Sequence, residues 1–271
     1  MNDTLYHYID PGFSHTQVGN YTLLLLLNPV NFSLAVMHKE KLMVWRKTAP
    51  LSELNMPGEV QEVLGFSYQE VVPGITSANF ALVPQSLFET DNVADVARYL
   101  NVQPTDTVFA QPLDADNHIV FKANATLTKA AARFDSGKIV FGAGGWIKAI
   151  ALHTPSNYNL YLNVNDGQLQ IAHFRHSKLH LYNTFEISHE DELAYYTAFV
   201  CQQLKLDMAL TTIVLSGDIT NGNTGYHQIL GDIFKTVELN DITVAEIPQG
   251  LPKHQLLPLT ALQLCASLAD A

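Results

Sequence analysis

Two short polar segments hold the residues of this chain that are best placed to contact a ligand. Asn165-Asp166-Gly167 joins two stretches of alternating apolar and polar residues, and Ser216-Gly217-Asp218 follows a short apolar run. Asn, Asp and Gly tolerate positive φ, so the first segment is a strong β-hairpin signal. Ser and Asp side chains accept hydrogen bonds from the unpaired amides that begin a helix. From the residues alone, the segments are interpreted as a hairpin turn and a helix-capping loop.

The chain has 11 histidines, which raises the question of a metal site. His173, His176 and His180 form the closest group, and in an antiparallel hairpin His173 and His180 would approach each other across the strands. No carboxylate lies at a convincing ligand spacing beside them. We therefore predict no metal site.

Signatures of common enzymes are missing from the sequence. Asn221–Gly225 is glycine-rich but lacks the lysine of a phosphate-binding P-loop. No Gly-x-Ser-x-Gly elbow of a serine hydrolase occurs. Cys201 and Cys265 have no paired spacing and are interpreted as small buried hydrophobic residues. No catalytic residue is predicted.

Charge and hydropathy exclude several classes of partner. The 271 residues carry a net charge of -11, which repels a phosphate backbone, so nucleic acid is not expected to bind. Met1–Thr4 shows no basic region of a signal peptide. The longest apolar run, Leu23–Leu27, is far shorter than the roughly 20 residues of a spanning helix. We expect a cytoplasmic protein without membrane insertion.

The elements that must position these residues form a pattern that occurs twice. Tyr21–Lys47 and Tyr158–Ile187 each predict three short strands. A helix, an apolar strand, a second helix and a final strand follow, which gives the order β-β-β-α-β-α-β. The first strands begin at residues 21 and 158 and the fourth at 79 and 212, a nearly constant offset that indicates two similar halves. We predict a first half over 1–154 and a second over 155–271 with a C-terminal helix.

Four local predictions test this pattern. Asn79–Val83, closed by Pro84, is predicted as the fourth strand of the first half. Apolar residues at helical spacing predict a helix over Tyr226–Val237, and Ile242–Ile247 is predicted as a strand after it. Gly142-Ala143-Gly144-Gly145 lacks the spacing of a dinucleotide fingerprint and is interpreted as a bend.

Specific phrases of the sequence resemble a known family. They are Phe80–Pro84 followed by Leu87-Phe88, then Leu181–Phe185, then Leu215–Ile219. With the doubled order of elements, they resemble a bacterial family of unknown function that has a duplicated actin-like ATPase fold. The resemblance covers about residues 21–247. It implies an α/β protein with two ribonuclease-H-like β-β-β-α-β-α-β halves that flank a nucleotide cleft.

The resemblance also implies where a nucleotide would bind. Relatives that use ATP have a glycine-rich hairpin with an acid in each half, for phosphates and magnesium, and a Gly-Gly turn for the adenosine. Here the first hairpin, Leu27–Asn31, has no glycine and no acid, and Pro29 lacks an amide donor. The second keeps Asp166 and Gly167, while Asp218 replaces the second glycine of the adenosine turn. The candidate nucleotide-binding residues are Asn165, Asp166, Gly167, Ser216, Gly217 and Asp218, with ATP and magnesium as candidate ligands.

Three functions fit these observations. The first is a non-catalytic actin-like module with a degenerate nucleotide cleft that acts through contacts with an unknown protein partner. The second is an ATP-binding protein with weak or no hydrolysis. The third is an enzyme of another class whose site is assembled from scattered residues. The degenerate motifs favour the first, because a fold by itself does not establish an activity.

Overall fold

The computed structural model of the chain describes residues 7–54, 61–134, 138–219 and 224–266. The chain divides into two compact units. Unit 1 comprises Met1–Lys148, Val244–Gln249 and Leu259–Ala271, and unit 2 comprises Ala149–Thr243 and Gly250–Pro258. The division into halves over 1–154 and 155–271 stays a prediction.

Fourteen strands lie in the described residues. They are β1 (Tyr8–Ile9), β2 (Thr22–Leu27), β3 (Asn31–His38), β4 (Lys41–Pro50), β5 (Glu70–Ile75), β6 (Phe80–Pro84), β7 (Thr107–Pro112), β8 (Asn117–Ala123), β9 (Val140–Phe141), β10 (Asn159–Asn165), β11 (Gln168–Arg175), β12 (Lys178–Glu186), β13 (Thr212–Gly217) and β14 (Thr236–Leu239).

Eight α-helices lie in the same residues. They are α1 (Gln61–Leu64), α2 (Val93–Ala97), α3 (Ala125–Ala132), α4 (Gly144–Leu152), α5 (Glu190–Leu204), α6 (Thr224–Gly231), α7 (Lys253–Thr260) and α8 (Gln263–Ala266). Short 3₁₀ helices cover His15–Asn20, Leu51–Leu54, Gln85–Leu87, Thr90–Asn92 and Arg98–Leu100.

The main sheet of unit 1 is mixed and has the strand order β1-β4-β3-β2-β5-β9. β2, β3 and β4 form an antiparallel meander, while β5 runs parallel to β2 and β9 parallel to β5. Consecutive residues of β2 point to opposite faces, and Leu23, Leu24 and Leu25 are all fully buried. The predicted strand in this apolar run is therefore confirmed, and it is covered on both faces.

The sheet of unit 2 has the order β12-β11-β10-β13-β14. β10, β11 and β12 are antiparallel neighbours, and β10, β13 and β14 are parallel. Leu160 of β10 and Leu215 of β13 belong to one buried apolar core with Leu193 of α5 and Leu230 of α6. The order and directions match those of β4-β3-β2-β5-β9 in unit 1.

Unit 1 has a second, smaller sheet, formed by the part of the chain that follows β5 and precedes β9. Its antiparallel order is β6-β8-β7. An ion pair between Lys122 Nζ and Asp106 Oδ2, 2.9 Å long, joins β8 to the turn before β7, and both side chains are largely buried. The ion pair therefore ties this small sheet to the loop that leads into it.

The fourth strand of the first half was assigned to the wrong segment. The strand that pairs parallel to β2 is β5, whereas Asn79–Val83 falls largely on β6 in the smaller sheet. Pro73 lies inside β5, and a proline normally argues against a central strand. β9 pairs only with Gly74 and Ile75, so β5 is an edge at Pro73 on that side. The short partner strand makes the proline tolerable.

The predictions for the end of unit 2 were also wrong in position. α6 ends at Gly231, and Val237, predicted as helical, lies in β14. The final strand is thus Thr236–Leu239, not Ile242–Ile247. Thr-Val-Glu-Leu alternates polar and apolar residues, which is the strand period. In unit 1, the bend at Gly142 and Ala143 leads directly into a helix, because α4 begins at Gly144.

Candidate functional site

The parallel pairing of β10 with β13 brings the two predicted segments together. Asn163 is opposite Ser216 and Val164 is opposite Gly217, so the strands end at the same edge of the sheet. Ligands of open α/β sheets bind beside the carboxyl ends of parallel strands. The six candidate residues therefore share one edge, although their role in nucleotide binding stays a prediction.

The first segment is a tight hairpin turn, as predicted. Asn165 pairs with Gln168, and the two residues between them have positive φ, 49° at Asp166 and 73° at Gly167. This is the geometry of a type I′ turn, which matches the right-handed twist of the strands. The carbonyl of Gly167 accepts a hydrogen bond of 2.8 Å from Ile187 N. The turn is therefore fixed from outside as well as by its own residues.

The second segment bends sharply and is fastened on both sides. Gly217 has a φ of +89°, and the next amide, Asp218 N, donates a 2.6 Å hydrogen bond to Val164 O. The carbonyl of Ile219 is 2.6 Å from His254 Nε2 and accepts a 3.1 Å hydrogen bond from Gln255 Nε2. Both partners belong to the first turn of α7. The amide of Asp218 is thus already engaged within the protein.

A row of buried polar side chains lies beneath both turns, and sequence reasoning missed it. Asn163 donates to Gln170 Oε1 over 2.8 Å and accepts from Asn165 Nδ2 over 2.9 Å. Directly after β14, Asn240 Nδ2 donates to Ser216 Oγ over 3.1 Å. Buried polar groups must be paired, and the Asn163–Gln170 and Asn240–Ser216 pairs join neighbouring segments of the sheet. The available signal was single polar residues at alternating positions of otherwise apolar strands.

The surroundings of the second turn are acidic. The pKa of Tyr226 is raised, first by burial and then by the nearby carboxylates Glu190 and Asp218. The Glu190 carboxylate lies directly against the backbone of Gly225, at the start of α6. A carboxylate there satisfies the positive end of the helix dipole, which would otherwise attract an anion. This arrangement disfavours a phosphate group at that helix end.

The first hairpin, between β2 and β3, supplies its own acceptors. Asn28 Oδ1 accepts hydrogen bonds from Val30 N at 2.9 Å and Asn31 N at 2.7 Å. Asn28 Nδ2 donates to Asn31 Oδ1 over 2.6 Å, and Pro29 has no amide hydrogen. The amides that would cradle a phosphate in this position are thus paired with a side chain of the same turn. The hairpin does not fit a triphosphate with magnesium.

Metal ligands are not grouped in the part of the chain that the structure covers. No set of three or more His, Cys, Asp or Glu residues there could hold a metal ion. His173 and His180 do approach each other, with ring centroids 5.5 Å apart. In the glycine-rich Asn221–Gly225 segment, residues 221–223 lie outside the described residues.

The surroundings of His173 are expected to make unfolding sensitive to pH. Its ring is fully buried, and Nε2 is 3.0 Å from Asn157 O. Burial lowers the pKa of His173, the hydrogen bond to Asn157 raises it, and His180 and Arg175 lower it further. Below a pH of about 6.5, His173 of the unfolded chain takes up a proton that the buried ring of the folded chain resists. The free energy of unfolding therefore decreases as the pH is lowered. The loss is complete once the pH passes below the folded pKa.

We expect His173→Gln to make the free energy of unfolding depend less steeply on pH, as measured by urea unfolding between pH 7.5 and 5. Glutamine can still donate to Asn157 O but does not titrate. One proton contributes at most about 1.4 kcal/mol per pH unit. Burial also lowers the pKa of His118, so part of the slope should remain. An equal slope in the variant and the wild type would contradict the prediction.

Solved structures assign this architecture to one class of protein. The chain resembles a Bacteroides thetaiotaomicron VPI-5482 protein of actin-like ATPase fold and unknown function, with a TM-score of 0.76, 17% identity and coverage of 93% of this chain and 98% of that chain. It also resembles the PilM-PilN type IV pilus biogenesis complex, with a TM-score of 0.61, 12% identity and coverage of 92% of this chain and 98% of that chain. A third similar structure is ethanolamine utilization protein EutJ from Carboxydothermus hydrogenoformans, with a TM-score of 0.50, 10% identity and coverage of 98% of this chain and 94% of that chain. The chain thus has an actin-like ATPase fold, which confirms the predicted fold class.

Within this class, the sequence identifies a family. The family model of DUF3822, described as a protein of unknown function, matches residues 10–231. The chain belongs to the DUF3822 family, and the predicted resemblance to a family of unknown function with this fold is confirmed. No protein with a curated description matches the chain in sequence.

Other predictions are tested only in part. Among the helices of the described residues, none combines the length and apolar character that crossing a bilayer requires. Cytoplasmic location, bacterial origin and the exclusion of nucleic acid stay predictions.

Proposed function

We propose that this protein is an actin-like module that acts through contacts with a partner protein and does not hydrolyse ATP. The observation that carries the proposal is the first hairpin, where Asn28 pairs with the amides of Val30 and Asn31. A phosphate would have to displace two hydrogen bonds that are already made, in a turn where Pro29 offers no donor. Fold and chemistry are separable, so the scaffold can persist without turnover.

The electrostatics of unit 2 support the same proposal. Asp218 stands where ATP-using relatives have a glycine, and Glu190 lies against the start of α6. Each carboxylate would repel the phosphates of a nucleotide bound nearby. A protein with the same fold is known within the PilM-PilN complex, which is an example of protein association on this scaffold.

A second candidate is an ATP-binding protein without efficient hydrolysis. It is favoured by one observation, the shared sheet edge of Asp166, Gly167 and Gly217. A hairpin with an acid and a glycine beside a glycine turn could hold part of a nucleotide through magnesium. Under this alternative, the missing glycine and acid of the first hairpin account for weak or absent hydrolysis.

Thermal unfolding with and without Mg·ATP separates the two candidates. We expect no change in Tm at millimolar nucleotide and no release of phosphate above background. A ligand at 100 times its Kd would add about 2.7 kcal/mol to the stability of the folded state. For a chain of this length that corresponds to a rise of several degrees, roughly 5–10 °C.

Asp166→Asn is the matched variant for this measurement. Asparagine also tolerates the positive φ of this turn, so the hairpin is retained while the charge is removed. A rise in Tm with Mg·ATP that this variant abolishes would overturn the proposal in favour of nucleotide binding. A stoichiometric partner, isolated from native lysate and confirmed by reciprocal capture, is the positive result that the proposal requires.

A further inference from the structure

One edge of the unit 2 sheet is open in the residues that the structure describes. β12 is the last strand of its sheet, and none of the described strands pairs with its outer side. In unit 1 the corresponding strand, β4, is covered by β1, with Tyr8 opposite Trp45 and Ile9 opposite Val44. Exposed strand edges are sites of strand addition unless proline, charge or a covering segment protects them. The same chain therefore protects one of two equivalent edges.

β12 has little protection of its own. It contains no proline, and its lysine is the first residue of the strand. A register shift opposite His173 and Phe174 interrupts the ladder near the start, which leaves Leu181–Glu186 as the regular part. Leu181 and Phe185 both pack against the apolar core beneath α5, so they lie on the same face of the sheet. An added strand can thus pair with six regular residues.

Aromatic rings extend from this edge along α5. Phe185 stacks on Tyr196 with ring centroids 4.5 Å apart, and Tyr196 contacts Tyr195 at 5.2 Å. Tyr195 is parallel to Phe199 at 6.3 Å, and these two side chains are 63% and 40% exposed. Exposed aromatic rings beside an open strand are typical of a surface that is covered by a partner.

The charges along the edge identify the occupant. Lys178 begins β12 and Glu186 ends it, and both are exposed. Exposed Arg175, at the end of β11, adds a second positive charge beside Lys178, and exposed Asp191, in the first turn of α5, adds a second negative charge near Glu186. A two-fold axis through Asn183 would place the basic end of one copy beside the acidic end of the other. It would also place Leu181 opposite Phe185 of the second copy, on the face that carries α5. An edge with this pattern is complementary to itself.

We propose that two copies of this chain associate through antiparallel pairing of their β12 edges, which joins the two five-stranded sheets into one. The interface is isologous, with the rings of α5 beside the paired strands on one face. Acidic proteins of net charge -11 repel each other overall, so the local charge pattern has to provide the orientation. The inference is independent of the proposed function, because it does not depend on nucleotide or on a foreign partner.

Charge reversal tests this interface. We expect the unsubstituted chain to sediment as a dimer, and both R175E/K178E and E186K/D191K to be monomeric at the same concentration. Each variant should raise the dimer Kd at least about tenfold, because like charges would then face each other at both ends. An equimolar mixture of the two variants should restore the dimer, since their ends are again complementary.

The control is K235E/K253E, which changes the net charge of unit 2 by the same amount as R175E/K178E, at exposed lysines outside β12. It should sediment as the wild type does. Circular dichroism of each variant establishes that it is folded before it is compared. A monomeric wild type at 100 µM, about the upper range for a weak interface, would overturn the proposal. So would a dimer that resists both reversals, or a mixture that stays monomeric.

Discussion

Gly217→Ala is expected to lower the free energy of unfolding by about 3 kcal/mol or more. An alanine Cβ at this position would overlap the carbonyl oxygen of Val164 and lie 2.5 Å from Asn163 Oδ1. The φ of +89° adds a second cost, because L residues with a side chain rarely adopt it. Neither neighbour can withdraw easily, since Val164 O is backbone and Asn163 is buried and hydrogen-bonded. Urea unfolding monitored by circular dichroism measures the loss.

Two other glycines separate the causes. Gly250 has nearly the same φ, +90°, but an added Cβ meets nothing within 4 Å, so Gly250→Ala should cost only about 1 kcal/mol. Gly231 ends α6 in open space, and Gly231→Ala should be neutral or slightly stabilising. A loss at Gly217 that is no larger than the loss at Gly250 would show that the turn can relax, and would contradict the close packing described here.

Gly145→Ala is expected to have an effect of similar size in unit 1. Its added Cβ would overlap the backbone carbonyl of Ala261 and lie 2.8 Å from Leu262 N. Contact with backbone cannot be relieved by rotating a side chain, so α4 would have to move away from residues 261–262. We expect a loss of about 2–4 kcal/mol in urea unfolding, in the range of overpacked core sites.

The neighbouring Gly144 is a matched control. Alanine there would lie 3.5 Å from Cys265 Sγ, which is ordinary contact. Because alanine favours a helix over glycine by about 1 kcal/mol, Gly144→Ala should be neutral or stabilising. If the two substitutions gave equal results, the close approach of α4 to residues 261–262 would not be what fixes Gly145.

Much of the fold could be predicted, because the strand signals are local. Asn165-Asp166-Gly167 tolerates positive φ at consecutive residues, which is a strong local signal of a two-residue hairpin. β5 was missed because Pro73 argues against a central strand, and the reason it is tolerated is the length of a partner strand elsewhere in the chain. The final strand was predicted too far along the chain, because the apolar spacing that predicts α6 continues past Gly231 to Val237, which lies in β14.

The candidate site was predicted less completely for a similar reason. The sequence indicated which motif residues remain, and parallel pairing of β10 with β13 places them at one edge. Asn163, Gln170 and Asn240 stand out in the sequence only as single polar residues in or next to apolar strands. That signal does not reveal their partners, most of which come from other strands. The capping of two amides by Asn28 is local, but an asparagine before a proline does not by itself indicate it.

The paired amides of the first hairpin have a consequence for regulation, under the function proposed above. The amides of Val30 and Asn31 already donate to Asn28 Oδ1 without a ligand, so we expect a nucleotide to change the arrangement of this turn little. Such a turn would not change its conformation between an ATP-bound and an ADP-bound state. The fraction of the protein bound to a partner would then depend on the concentrations of the two proteins and their affinity, and not on a cycle of nucleotide hydrolysis.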